Sequence, residues 1–177
     1  MIRVTFALAT QANLIGRYSG RIHAFAFRLA SIRRCNQSWI YAYYNSDKFV
    51  FYGEDLMKRA MAYRSFLDAG VKAAAGSDFS PGPFAPLMGI QGIVTRKGWD
   101  GKIWGANQKI SVEEAIRVNT IHGAYASKEE NIKGSITPGK LADFVVLSED
   151  PHTIDPEKIK DMRVVRTVVG GNAVYTA

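Results

Sequence analysis

The sequence predicts an α/β fold whose last third is built from β-strands. A helical pattern that ends at Gly70 is followed directly by a short apolar run at residues 71–76, which is the helix-to-strand order of α/β units. A second helical pattern begins at Ser111, and from residue 144 onwards β-branched runs separated by glycines are typical of strands and tight turns. The length of 177 residues suits one domain.

The first clear helix is predicted at residues 53–70. Glu54 and Asp55 stand at its start, where the helix dipole favours acidic side chains, and apolar residues recur every three or four positions behind them. Gly70 marks its end, because glycine often closes a helix in the left-handed conformation. Aromatic and β-branched residues at 39–52 predict at least one strand before this helix.

A buried strand is predicted at residues 71–76, since its small apolar residues fit a strand that is covered on both faces. Asp78 comes two residues after this run. The loop beyond it contains Pro81 and Pro83, which fix the backbone angle φ and remove two hydrogen-bond donors. From the residues alone, Asp78 is either a turn residue after a strand or a carboxylate placed for chemistry.

Two more helices are predicted further along the chain. Residues 87–96 fit a helix that is weakened by two glycines. Ser111 and Glu114 form the S-x-x-E pattern of a capping box, which marks the start of another helix. Gly123 interrupts this second pattern, so we expect a break or an additional short helix there.

Strands and turns are predicted for the end of the chain. A strong strand is expected at Phe144–Leu147, and two β-branched runs around Gly170 and Gly171 predict a hairpin. Asp143 precedes the strand. We expect it to cap the nearby turn or to order the start of the strand, rather than to act as a catalytic acid.

Positive charge is concentrated in the first quarter of the chain. Residues 1–46 contain six arginines and no lysine or acidic residue, a net charge of +6, whereas residues 47–177 contain 17 basic and 16 acidic residues. Residues 22–32 fit a basic helix. The basic segment could contact nucleic acid or an anionic membrane, could be an organellar presequence, or could be an out-of-frame stretch joined to a real domain.

Several functional classes are excluded or disfavoured by composition. Cys35 is the one cysteine, so the chain has no internal disulfide framework, and a reducing, cytoplasmic setting is expected. No apolar run reaches the ~18 residues of a membrane-spanning helix. Ser77 lacks the G-x-S-x-G context of a nucleophilic serine, which disfavours that chemistry.

Four segments occur in an order and at spacings that resemble a known family. They are "FLDAGVKAAAGSDFSPGPFAPLMGIQGIVTR", "ISVEEAIRVNTIHGAYAS", "KGSITPGKLADFVVLSEDP" and "VVRTVVGGNAVY". Together they resemble the C-terminal part of the amidohydrolase superfamily, specifically amidohydrolase family 3. The resemblance covers roughly residues 40–177, and it depends on the four segments together because none of them is decisive alone.

The resemblance implies a metal-dependent (β/α)8 barrel with a small β-sandwich built from both chain ends. We therefore expect the last strand–helix units of the barrel at residues 39–130 and the C-terminal sandwich strands at residues 131–177. Residues 1–38 form a basic segment of uncertain fold. In the family, the Asp of "GSD" ends the eighth barrel strand, ligates a catalytic divalent metal, commonly zinc, and handles the proton of the attacking water. Asp78 matches that position.

The implied reaction is hydrolysis of a non-peptide, amide-type C–N bond in a small-molecule substrate. The resemblance also requires an H-x-H pair, a bridging Lys or carboxylate and two later histidines, but His23, His122 and His152 form no such motif. A catalytic zinc site needs about three protein ligands, and a (β/α)8 barrel takes about 250 residues. We therefore expect a C-terminal fragment that binds no metal and has little or no activity alone.

Other outcomes stay open at this stage. The chain could instead be a non-catalytic binding module whose Arg-rich arm contacts nucleic acid or membrane, although the resemblance implies neither partner. An incomplete barrel would expose sheet edges, which favours self-association or assembly with a chain that carries the remaining ligands. The resemblance stops before residue 40, which favours an altered reading frame for residues 1–38. Phe79, Ser80 and Phe84 either line a substrate pocket or pack the loop.

Overall fold

The structure, a computed structural model, describes residues 5–6, 35–37, 53–76, 84–98 and 100–177. Both helices and strands occur over these residues, which confirms the mixed α/β character predicted from the sequence. Among the described helices, none combines the length and the apolar composition that crossing a membrane requires.

Three predictions concern residues that the structure does not describe. The strand expected at residues 39–52, the basic helix at residues 22–32 and the proline-containing loop after residue 76 lie outside the described residues, apart from Phe84 at the end of that loop. The proposed boundaries at residues 38 and 130 therefore stay predictions.

The elements are numbered here in chain order. The strands are β1 (Thr5–Phe6), β2 (Cys35–Gln37), β3 (Ala74–Gly76), β4 (Phe144–Leu147), β5 (Val164–Val169) and β6 (Asn172–Thr176). The α-helices are α1 (Tyr63–Asp68), α2 (Pro86–Thr95), α3 (Val112–Asn119) and α4 (Ile121–Ala126). Two 3₁₀-helices cover Ala106–Gln108 and Pro156–Asp161, and residues 53–57 add a helical segment before α1.

The strands form two sheets. A four-stranded antiparallel sheet has the order β1-β4-β5-β6, and β2 and β3 form a separate parallel pair in which Gln37 is the partner of Gly76. Parallel neighbours need a crossover connection, and the helical residues between β2 and β3 lie in that connection. The described part of the chain therefore contains one parallel α/β unit and one antiparallel sheet, as expected from the two patterns in the sequence.

The first predicted helix is wrong as a single element. Helix α1 begins only at Tyr63, and Met61 has a positive φ of 48°, so the chain leaves the helical path between residues 57 and 63. The reason is a tertiary contact. Arg96 donates hydrogen bonds to the carbonyl oxygens of Met57, Ala60 and Met61, at 2.9, 3.2 and 3.2 Å. These carbonyls are the groups that a helix end leaves without a partner, and the guanidinium satisfies them.

Helices α3 and α4 confirm the expected second helix, but the break lies at Thr120 rather than at Gly123. Thr120 has φ −124° and ψ −91°, and its hydroxyl donates to the carbonyl oxygen of Ile116 at 2.8 Å. A threonine hydroxyl that bonds back to the preceding turn competes with the backbone and favours a bend. Gly123 lies within α4 instead.

The capping box predicted for α3 is confirmed. The Ser111 hydroxyl accepts from the backbone N–H of Glu114 at 3.1 Å, and the Glu114 carboxylate accepts from the backbone N–H of Ser111 at 2.8 Å. Both carboxylate oxygens of Glu114 also accept hydrogen bonds from Arg64, at 2.8 and 2.9 Å, and these bonds join the start of α3 to α1. One carboxylate thus caps a helix and ties it to another.

Replacing Ser111 with Ala is expected to lower the free energy of unfolding by about 1 kcal/mol, because the backbone N–H of Glu114 loses its acceptor. Urea denaturation at neutral pH measures the change. Ser111→Thr is the matched control, since threonine keeps the accepting oxygen. An equal loss in both variants would contradict a capping role.

The C-terminal strands agree with their prediction. Strand β4 has the predicted bounds, and β5 and β6 form the expected hairpin. Gly170 and Gly171 have φ of 56° and 82°, and positive φ at both central positions is what the tightest hairpin turn requires. The Asp143 carboxylate accepts from the backbone N–H of Gly170 at 2.7 Å, so it holds this turn rather than the turn near residue 139.

The parallel pair and the antiparallel sheet share one apolar core. Ala75 of the parallel pair, Ile90 and Ile93 of α2, Val118 of α3 and Val145 of β4 all belong to a single buried cluster. Each is less than a tenth exposed. Because residues from both sheets fill the same core, the C-terminal sheet supports the region around β3.

Candidate metal centre

Strand β3 is the described element that directly precedes the candidate metal ligand Asp78 in sequence. Ala73, Ala74 and Ala75 are at most 5% exposed, and α2, α3 and α4 all contact this strand. Their small side chains let the helices come close, which explains the run of alanines. The described part of the strand ends at Gly76, and Asp78 lies outside the described residues. The assignment of Asp78 as a metal ligand therefore stays a prediction.

His122 contacts the chain directly before β3. Its Nδ1 is 2.9 Å from the carbonyl oxygen of Ala73, directly before the strand begins, and the residue is 8% exposed. Burial lowers the pKa of His122 below its usual range, the hydrogen bond to the Ala73 carbonyl oxygen acts in the opposite direction, and the cations Arg117 and Lys72 lower the pKa further. This histidine supports the start of the strand.

His152 is held in a local turn. The Asp150 carboxylate accepts from the backbone N–H of His152 at 2.9 Å and lies 2.9 Å from its Nδ1. The backbone N–H bond is the main reason that the pKa of Asp150 lies below its usual range. A carboxylate and a histidine that satisfy each other in a turn are an ordinary local motif. His23 lies outside the described residues.

The described residues do not by themselves fit a metal centre. Within residues 53–76, 84–98 and 100–177, no group of three or more His, Cys, Asp or Glu side chains is placed to hold an ion. A catalytic zinc centre uses about three protein ligands and one open position. Asp78 would supply one ligand of such a set.

A buried arginine, which the sequence reading missed, fixes the segments on either side of β3. Arg96 is fully buried and donates through Nε to the carbonyl oxygen of Trp104 at 2.9 Å, in addition to its three bonds to the residues before α1. Burial lowers its pKa to about 10, so it is charged at neutral pH. It clamps the chain before β3 to the chain after α2.

Further polar contacts complete this clamp. Gln108 is 4% exposed and donates to the carbonyl oxygen of Lys58 at 3.1 Å and to the Ser65 hydroxyl at 2.7 Å. The Glu54 carboxylate accepts from the backbone N–H of Gly105 at 3.1 Å. Strand β3 and the loop that carries Asp78 therefore lie in sequence between two segments that are bonded to each other.

Comparison with known proteins identifies the family. The sequence model of the amidohydrolase family matches residues 43–175, three quarters of the chain. The chain belongs to the amidohydrolase family. This confirms the resemblance that the four segments carried, and the matched range includes Asp78, the residues of the clamp and the C-terminal strands.

Two curated relatives of this amidohydrolase chain come from bacteria. The Bacillus subtilis (strain 168) protein YtcJ, whose name describes it as an amidohydrolase, is 37% identical over 126 residues, covering 70% of this chain and 24% of that protein. The N-substituted formamide deformylase of Arthrobacter pascens is 34% identical over 112 residues, covering 63% of this chain and 21% of that enzyme. The chain thus spans about a quarter or less of the length of these relatives.

A solved structure supports the fold. The structure of an uncharacterized metal-dependent hydrolase from Pyrococcus horikoshii OT3 matches with a TM-score of 0.56 at 20% identity, over 68% of this chain and 25% of that one. The amidohydrolase chain therefore has the fold of part of a metal-dependent hydrolase. The assignment of β3 as the eighth strand of a (β/α)8 barrel stays a prediction.

Proposed function

We propose that this chain is the part of a metal-dependent amidohydrolase that carries Asp78 to the metal, and that the complete enzyme hydrolyses amide-type C–N bonds of small molecules. The family match is the observation that carries this proposal, because it includes Asp78. The relative from Arthrobacter pascens supports the substrate class, since its name states that it deformylates N-substituted formamides.

The position of Asp78 suits this role. In sequence it follows a strand whose alanines are buried and whose neighbour β2 runs parallel to it, and the C-terminal ends of parallel barrel strands are where active sites of this architecture lie. A carboxylate there binds a hard or borderline divalent cation such as zinc. It also accepts a proton from water and returns it to the nitrogen of the departing amine, as a general base and then a general acid.

We further propose that the isolated chain neither holds stoichiometric zinc nor catalyses hydrolysis. Two of its three histidines are engaged elsewhere: His122 with the carbonyl oxygen of Ala73, and His152 with Asp150. A site that consists of Asp78 and fewer than two further protein ligands would bind zinc weakly. The remaining ligands come, in this proposal, from a polypeptide segment other than the described residues.

A chimeric enzyme tests the role of Asp78. The segment of the Arthrobacter pascens deformylase that matches this chain is replaced by the corresponding residues of this chain, and zinc content and deformylation are measured. We expect the chimera to bind zinc and to hydrolyse its substrate. Asp78→Asn in the chimera should lower kcat by a factor of about 10²–10⁴, the usual contribution of a general acid–base residue.

Two comparisons make this test decisive. Asp143→Asn is the control, since Asp143 bonds the hairpin turn and should alter stability more than kcat. An Asp78→Asn chimera as active as its parent would refute the catalytic assignment. For the isolated chain, one zinc ion bound per chain and lost in Asp78→Asn would refute the proposal that it cannot form a centre alone.

A further inference from the structure

His122 joins helix α4 to the start of strand β3 through a buried side-chain contact. Its Nδ1 is 2.9 Å from the carbonyl oxygen of Ala73, and the residue is 8% exposed. For this contact to be a hydrogen bond, Nδ1 carries the proton and donates to the carbonyl, which leaves Nε2 without a proton in the neutral ring. The neutral imidazole is thus sufficient for the contact between the helix and the strand.

Burial of the ring disfavours a second proton, and this effect is larger than the opposite effect of the hydrogen bond to the carbonyl oxygen of Ala73, which favours the protonated ring. The charged groups that face it from the neighbouring elements are Lys72, directly before β3, and Arg117 of α3, and both are cationic. The ammonium of Lys72 lies 4.4 Å from the centre of the Tyr125 ring, which holds this positive charge beside α4. A third cation at His122 would be buried close to these two, and no carboxylate of the described residues is among the groups that shift its pKa.

We propose that His122 is an acid-sensitive latch, which holds α4 against β3 while its ring is neutral and releases the strand when the ring is protonated. Opening of this contact exposes the ring to water, where its pKa returns to about 6.5. The open form therefore takes up the proton before the closed form does. As the pH falls below about 6.5, the open form gains stability relative to the closed form.

The latch has a consequence for the strand that it holds. Strand β3 is three residues long and leads towards Asp78, so release of its first residues frees the segment that precedes the candidate metal ligand. The latch does not involve Asp78, because its contact is made by Ala73, which precedes β3, whereas Asp78 follows the strand in sequence. It can therefore be tested on this chain whether or not the proposed function holds.

Hydrogen exchange of the β3 amides at pH 7.5 and 5.5 tests the latch, with rates converted to protection factors to remove the intrinsic pH dependence. If the closed form stays neutral, the open population rises about tenfold over this range, which is the upper bound for one histidine of ordinary pKa. We expect protection of Ala74 to Gly76 to fall by up to that factor. Protection of the β5 amides should change by less than twofold, which separates local release from global unfolding.

His122→Asn is the matched variant, because an asparagine amide donates a hydrogen bond without titrating in this range. We expect it to keep β3 protection independent of pH, and His152→Gln to behave as the unmodified protein. An equal loss of protection in the unmodified protein and in His122→Asn would overturn the proposal. Nuclear magnetic resonance titration of the His122 ring gives a second test that needs no variant: a ring that titrates near pH 6.5 while β3 stays protected would also overturn it.

Discussion

Replacing Arg96 with Ala is expected to lower the free energy of unfolding by about 3–5 kcal/mol, which is the range for breaking a buried charged network. The variant removes the Arg96 donor from the carbonyl oxygens of Met57, Ala60, Met61 and Trp104, of which Met61 keeps the backbone N–H of Tyr63 at 2.8 Å. Each carbonyl that stays buried and unpaired costs about 1–3 kcal/mol, and the loss of the largest fully buried side chain adds a cavity.

Urea denaturation followed by circular dichroism measures this effect. Arg166→Ala is the control, since Arg166 is exposed on β5 and its removal should change stability by less than about 0.5 kcal/mol. Arg96→Lys separates charge from geometry, because lysine keeps the charge but cannot reproduce the planar set of donors that contacts four carbonyls. If Arg96→Lys is as stable as the unmodified protein, the hydrogen bonds from the planar guanidinium to the four carbonyl oxygens do not stabilise this region.

Replacing Gly105 with Ala should cost about 3 kcal/mol, for two separate reasons. Gly105 has φ +58°, where an L-residue is strained by about 1–2 kcal/mol. In addition, a Cβ atom at this position would lie 2.1 Å from the carbonyl oxygen of Met57 and 2.6 Å from Nη2 of Arg96, so the guanidinium and the backbone that it binds would have to move apart. Overpacking of this kind costs a further 1–3 kcal/mol, approximately.

The chain offers a matched control for this substitution. Gly170 has nearly the same φ, +56°, but no atom lies within 4 Å of its added Cβ. Gly170→Ala should therefore show only the backbone strain, about 1–2 kcal/mol, and the difference between the two variants measures the steric conflict at the clamp. Equal losses of stability in Gly105→Ala and Gly170→Ala would show that the close approach to Met57 is relaxed at little cost.

Local signals in the sequence predicted the local structure well. The capping box of Ser111 and Glu114, the strand Phe144–Leu147 and the hairpin at Gly170 depend on neighbouring residues, and all three are confirmed. The continuous helix at residues 53–70 failed because its end is set by Arg96, which is more than thirty residues away in sequence. No pattern around residues 57–61 contains that information.

Less of the candidate site than of the local structure could be predicted from the sequence. The histidines His122 and His152 form no metal-binding motif in the sequence, and the structure shows their contacts with the Ala73 carbonyl oxygen and with Asp150. The assignment of Asp78 came from the family resemblance rather than from its spacing, and the described part of β3 stops two residues before it. Arg96 was missed because a single arginine after an apolar helix looks like a solvated helix end until its tertiary acceptors are known.

The clamp also sets an order for folding during synthesis on the ribosome. Glu54 and its partner Gly105 are 51 residues apart, so the helical segment at residues 53–57 is translated several seconds before its partners at the usual rate of about 5–20 residues per second. During that interval the carbonyl oxygens of Met57 and Ala60 cannot yet accept their hydrogen bonds from Arg96. Segments of the nascent chain up to residue 95 are therefore the ones that most need protection from premature contacts.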